Sequence, residues 1–169
     1  DLSQTSIDHA VALDMMEVNK VEVIRGPRSL IYGSNPIGGV INASIIGDPK
    51  VKVNKLYKNI MLGWESFNKG IYGNISLYIP IKNSQLNITI NNRKSNNQTS
   101  PTKELENTYS KVSNYKLGFT KYNDGGYINF IIEQYNMNYG IPPSPEGHID
   151  GVDIEMKKNN IQINYHKDI

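Results

Sequence analysis

The sequence has no cysteine among its 169 residues, one tryptophan and three phenylalanines. Lacking thiols, the chain can form neither a disulfide nor a thiolate metal site, although both a reducing cytosol and a cell envelope can dispense with cysteine. No stretch approaches the ~18 consecutive apolar residues that a membrane-spanning helix requires, and no charged-then-apolar leader opens the chain. Charge of one sign does not dominate: 18 basic residues face 16 acidic ones, for a net charge of +2. The lysines are interspersed, with no basic block that would mark a nucleic-acid footprint. Motifs of covalent chemistry are missing as well. "GPRSLIYGSNPIGG" (residues 26–39) is glycine-rich but lacks the Gly-Lys-Ser/Thr ending of a phosphate loop and the GxGxxG spacing of a dinucleotide turn. There is no GxSxG elbow and no HExxH helix, so no acid, base and nucleophile converge and an enzyme is not expected.

What is present is alternation. In "IYGNISLYIPI" (71–81), Ile71, Ile75, Leu77, Ile79 and Ile81 share one parity while Asn74 and Ser76 occupy the other. The same period of two appears at Leu86, Ile88 and Ile90; at Tyr115, Leu117 and Phe119; at Ile128, Phe130 and Ile132; and at Ile161, Ile163 and Tyr165. Successive side chains of a strand point to opposite faces, so each segment predicts a strand with one apolar and one polar face. Before residue 48 the pattern differs, mixing apolar runs with Gly and Pro breaks, as a compact α+β unit would.

The connections carry a second signal. From a strand near residues 60–67 onward, the links fall at 68–70, 82–84, 94–112, 123–126 and 140–157. In an up-and-down meander alternate links lie at one end, which groups 68–70, 94–112 and 140–157 together and leaves the short turns 82–84 and 123–126 at the other. Strands of ~10 residues with short turns at one end and long loops at the other fit a transmembrane β-barrel. A soluble sandwich or lipocalin-like barrel shares the alternation and fits the strand pattern equally well.

The stretch "VEVIRGPRSLIYGSNPIGGVINAS" (21–44) separates these readings. Val21–Ile24 reads as a strand ended by Gly26-Pro27, "RSLIYG" as one helical turn closed by Gly33, and "IGGVIN" as a further strand whose Gly38 and Gly39 permit close backbone approach. This run closely resembles the end of the plug domain of TonB-dependent outer-membrane receptors, and the upstream "DHAVALD" is similar to a segment of the receptors for metal ions and metal chelates. The resemblance covers residues 1–48 and extends into the first strands after residue 50. It implies a mainly β chain, with part of an α+β plug domain (1–48) followed by about the first six antiparallel, up-and-down strands of a transmembrane β-barrel (49–169). The chain, which starts at Asp1 and stops within an apparent strand, is accordingly expected to be a fragment.

The resemblance further implies placement in the outer membrane of a Gram-negative bacterium, contact with its lipid, and energy supplied by the TonB complex, whose binding box would lie upstream. Glu22, Arg25 and Arg28 match charged plug positions that lock plug to barrel wall through ion pairs; satisfaction of a local carbonyl is the competing role for Arg25. The cargo would be a metal ion or metal chelate such as haem, zinc or an iron siderophore, carried as ligand rather than held as a cofactor. In the loop "YGIPPSPEGHIDGVDIEM", Glu146, His148, Asp150 and Asp153 bring imidazole and carboxylates within eight positions, a donor set suited to zinc or iron, though a lone loop histidine is ordinarily solvated. His9 is assigned to plug packing and His166 to the end of a strand. The eleven tyrosines suit the aromatic girdles of a membrane interface, or stacking platforms in the alternative reading, a soluble β-rich module binding carbohydrate or another surface.

Overall fold

The computed structural model describes residues 16, 18–32, 39–45, 49, 51–145, 147 and 149–167. The chain forms two compact units, one within Asp14–Asp48 and one within Pro49–Ile169, and each is considered by itself. No helix among the described residues is long and apolar enough to cross a membrane, which leaves strands untouched as a means of crossing.

In the first unit, β1 (Val18–Ile24) pairs antiparallel with β2 (Val40–Ile45). The helical turn expected after Pro27 is a 3-10 helix, Gly26–Tyr32, held at its start by Ser29, whose hydroxyl donates to the Gly26 carbonyl at 2.8 Å. Gly33 and Gly38 lie outside the described residues. Gly39 does what a glycine is needed for: its φ is +135°, and a Cβ there would sit 2.7 Å from the Ile24 carbonyl oxygen.

The second unit is one antiparallel meander of six strands in sequence order. They are β3 (Tyr57–Glu65), β4 (Gly70–Ile81), β5 (Ser84–Ser95), β6 (Ser110–Asn123), β7 (Gly126–Ile141) and β8 (Val152–Lys167). Links 66–69, 96–109 and 142–151 share one end, and two-residue turns, 82–83 and 124–125, form the other. Mainly β, antiparallel architecture follows from the alternation seen in the sequence.

The two faces of this sheet are inverted relative to a water-soluble fold. The largest fully buried side chains are Gln85, Asn74, Asn91, Asn114, Asn129, Thr120 and Ser76, while Leu62, Ile161, Ile163 and Trp64 are 80%, 78%, 63% and 66% exposed. Among the described residues three hydrophobic side chains are buried, Tyr78, Tyr135 and Met156, and all three lie on the polar face. Buried amides survive because they bond one another. Asn74 donates to Asn91, Asn129 to Thr120 at 3.0 Å, Asn164 to Asn129 at 3.0 Å, and Gln85 accepts from the Val53 amide at 2.8 Å.

The long loops are shorter than the sequence suggested: 96–109 rather than 94–112, and 142–151 rather than 140–157. The cause is a change of phase. In β8, Ile161, Ile163 and Tyr165 lie on the apolar face, but Val152, Ile154 and Met156 have the opposite parity and share a face with Asn164. In β7, Ile128, Phe130 and Ile132 likewise give way to Tyr135, Met137 and Tyr139. A strand whose apolar residues switch faces midway does not register as a single alternation, so its charged half reads as loop.

Candidate functional site

Two regions gather the residues that could carry function. In the first unit, Glu22, Arg25 and Arg28 line one groove with Ile31 and Tyr32. The order strand, Gly-Pro break, 3-10 turn sets this geometry, by folding Arg28 back toward the end of β1. Glu22 does not pair with either arginine within the unit. Its carboxylate accepts from Lys20 Nζ at 2.6 Å and from Asn42 Nδ2 at 3.2 Å, across the Glu22 to Asn42 rung of the ladder. The hydrogen bond from Lys20, then that from Asn42 and the Lys20 charge, hold the Glu22 carboxyl below its ordinary range. Arg25 and Arg28 are both exposed, which leaves their guanidinium forks open to carboxylates from elsewhere.

The second region is the long-loop end of the sheet, where the loops are bonded into one structure. Loop 96–109 reaches the β3–β4 turn through Asn96 N to Asn68 O at 2.9 Å and Thr99 N to Phe67 O at 2.8 Å. On its other side, Asn107 Nδ2 donates to the carbonyls of Ile141 and Val152, both at 3.0 Å. These two residues close the β7–β8 ladder, so one amide clasps the base of loop 142–151. Asn107 adopts φ +51° to do so, a left-handed conformation that Asn tolerates. Two glycines make room for it: a Cβ at Gly140 would collide with the Asn107 side chain, and one at Gly151 would lie 3.0 Å from Nδ2. Within the loop, Thr108 accepts from Gln98 N and donates to the Leu105 carbonyl, both at 2.8 Å.

Of the four residues expected to ligate a metal, Glu146 and His148 lie outside the described residues. Asp150 is an exposed turn residue. Asp153 does not belong to the loop, because β8 has already begun; it lies opposite Gly140 and bonds the Tyr109 hydroxyl. Desolvation first, then this hydrogen bond and the Asp153 charge, raise the Tyr109 hydroxyl above its ordinary value. Among the described residues no three His, Asp or Glu side chains converge as a metal site would require. His9 is outside the described residues, and His166 is paired with Tyr127 in the ladder and stacks on its ring at 5.4 Å.

Sequence reasoning missed Asn107 and Asn68. Asn68 Oδ1 accepts from Gly70 N at 2.8 Å and its Nδ2 donates to Glu65 at 2.8 Å, while Arg93 bonds the same carboxylate at 3.0 Å. Their only sequence signal is Asn beside a turn, shared with many other asparagines here. Of the tyrosines in the strands of this sheet, Tyr57, Tyr72, Tyr78, Tyr122, Tyr127, Tyr135 and Tyr139 have the parity of the polar face, and Tyr115 and Tyr165 stand on the apolar one. No protein-family model matches the sequence, and no solved structure matches it.

Proposed function

We propose that this chain is part of a TonB-dependent receptor of the Gram-negative outer membrane, with plug sequence in residues 1–48 and the first strands of a lipid-embedded barrel in residues 49–169. The reading starts from the resemblance of residues 21–44 to the plug motif. The single structural observation that carries it is the polarity of the sheet. Over the half nearer the short turns, apolar side chains point to the exposed face and amides to the buried one. Nearer the long loops β7 and β8 reverse, with Tyr135 and Met156 buried on the inner side and Asn136, Asn138, Glu155 and Lys157 on the outer. A barrel wall that leaves hydrocarbon and continues into water has this pattern. A soluble module would need a second layer over Leu62, Ile161 and Ile163, and substantial contacts among the described elements run only between sequential strands.

The slope of the apolar band supports the same reading. The band is centred on Leu62 in β3, Ile88 in β5, Leu117 in β6, Phe130 in β7 and Ile163 in β8. Along the ladders, Leu62 lies across from Gly73 and Asn92, whereas Ile163 lies across from Phe130, Phe119 and Leu86. From β3 to β8 the band therefore slips from Asn92 to Leu86 on β5. At ~3.3 Å per residue and ~4.8 Å between strands, six residues of slip over five steps correspond to a strand tilt of about 40°. That is the tilt of strands closed into a barrel, ~35–45°. The three outward apolar rows of β5–β8 cover about 15 Å of bilayer at that tilt, less than the full ~25 Å band, so the adjoining rows would meet the headgroup layer. Closure by further strands would remove the open edges of β3 and β8.

In this role Arg25 and Arg28 would reach carboxylates on the barrel wall, the clasped loops would capture cargo outside, and the TonB complex would drive plug rearrangement. The cargo reading is a metal ion or metal chelate, resting on "DHAVALD" and on the Glu146, His148 and Asp150 loop. It predicts that replacing His148 and Asp150 with alanine weakens ligand affinity at least tenfold; unchanged affinity removes the metal role. The receptor role is tested by cell fractionation with antibody detection. The protein should sediment with the outer membrane and show heat-dependent gel mobility; recovery in the soluble fraction would overturn the reading.

A further inference from the structure

On the polar face of the six-stranded sheet, near the short turns, one row of the ladder carries Gln85 on β5, Thr120 on β6, Asn129 on β7 and Asn164 on β8. The first three are almost completely buried. Asn164 donates to Asn129 and Asn129 to Thr120, both at 3.0 Å. Gln85, at the end of the row, donates to Asn87 at 2.9 Å and accepts from the backbone amide of Val53 at 2.8 Å. Val53 belongs to residues 51–56, which form no helix or strand and carry mostly exposed side chains. Beside it, the Lys52 ammonium lies 5.5 Å from the centre of the Tyr122 ring on β6, within reach of a cation–π attraction. Among the described residues this hydrogen bond and this ring contact are the polar ties of the segment to the sheet.

The order of the sheet gives these ties their meaning. The segment follows the first unit, which ends at Asp48, and leads into β3, which starts at Tyr57. β3 is an edge of the sheet, with β4 between it and β5, so residues 54–56 pass across the width of β4 while Val53 and Lys52 are tied to β5 and β6. Without the ties, a pull arriving from the first unit would fall on the first rung of β3, Tyr57 with Tyr78, and an edge strand held by one neighbour opens rung by rung. With them, the pull meets β5 and β6, each paired on both sides. Release there is resisted because it would leave Gln85 Oε1 buried without its donor. We propose that residues 51–56 are a strap that takes up pull from the first unit and keeps β3 from peeling off β4. Held by two ties, the strap can detach while the sheet stays paired, which makes it a stop for motion of the first unit rather than a fixed joint. The source of the pull rests on the receptor reading above, in which the plug rearranges under TonB; the strap itself rests on the ties.

The test pulls the full protein, embedded in a lipid bilayer, from its N-terminal end with a cantilever. Wild type is compared with K52Q/V53P, which removes the ammonium and the donated amide and leaves the wall of the sheet unaltered. The expected result is that β3 detaches at a clearly lower force in K52Q/V53P, about half that of wild type or less, whereas K52R keeps the wild-type force. Both K52Q/V53P and wild type should give the same trace when pulled from the C-terminal end, where the strap bears no load. Equal forces from the N-terminal end overturn the inference, as does an equal loss from the C-terminal end, which would mean general weakening of the sheet. Amide exchange gives a second reading. The Val53 amide should be protected in wild type and exchange at least tenfold faster in Gln85→Ala, with β5 and β6 unchanged, while Gln85→Glu, which keeps an acceptor, should retain the protection. Equal exchange of Val53 in wild type and Gln85→Ala refutes the strap and leaves the receptor reading standing. Recovery of the protein in the soluble fraction refutes the receptor reading and, with its source of pull, the strap as well.

Discussion

Near the short turns, Gln85, Thr120 and Asn129 are shielded almost completely from solvent while Ile81, Phe119 and Phe130 stand open on the other face. Nearer the long loops, Tyr135 and Met156 take the shielded positions and Asn136, Asn138 and Glu155 lie on the outer side. The two halves share strands, ladder and twist, so backbone hydrogen bonding cannot account for the difference. In the proposed barrel the solvent would: side chains partition according to what bathes the outer face, which on that reading is hydrocarbon in one half and water in the other. The amides inside the apolar half then hold one another, since an unpaired buried amide costs far more than a bonded one gains.

The sharpest way to break this contrast is to place the same charge on the outer face of each half. Leu117→Arg should cost roughly 2–4 kcal/mol when the protein is unfolded from lipid vesicles by denaturant, as a charge near mid-bilayer does. Asn136→Arg should stay within about 0.5 kcal/mol, as for an ordinary surface change. Equal small effects at both positions would mean that water bathes both halves. On the inner side the asymmetry reverses: Met156→Ala should cost about 2–3 kcal/mol by opening a cavity against Tyr135 and Met137. Among the buried amides of β4 and β5, Asn91→Ala removes the acceptor of the Asn74 amide and should cost about 1–3 kcal/mol in the same titration.

Smaller effects sharpen the picture at the two candidate sites. Asn107→Ala frees the carbonyls of Ile141 and Val152 and should cost about 1–2 kcal/mol. It should raise amide exchange in residues 140–152 selectively, leaving β4 and β5 protected. The least change is expected at Glu22. Because its carboxyl lies below the usual value of 4.5 in the folded chain, its contribution is complete above that value and fades as pH falls through the lower, folded-state one. Lys20→Ala should move the Glu22 titration midpoint, followed by carboxyl NMR, back toward 4.5; an unmoved midpoint would rule out Lys20 as the main cause.

Much of this fold was readable before any coordinates. Ile71, Ile75, Leu77 and Ile81 against Asn74 and Ser76 give β4 with its facing, and "KNS" and "NDGG" give both short turns, because period two and turn residues are local properties. The candidate sites were less readable. Asp153 and Glu155 looked like loop carboxylates because the phase switch at the middle of β8 hides the strand that holds them. Val53 and Gln85 are 32 residues apart in sequence, and only the fold brings the amide of one to the acceptor of the other. Asn107 is one asparagine among many until Gly140 and Gly151 are brought beside it.

The sequence alone determined the mainly β character, the meander order and the grouping of loops by end, since each follows from side-chain period and turn chemistry within a few residues. Tertiary structure decided what stayed hidden from a linear reading: which face is shielded, where polarity reverses along β7 and β8, the slope of the apolar band, and the Asn107 clasp. Each depends on register between strands, and register is set by many weak cross-strand contacts acting together rather than by any local stretch of chain.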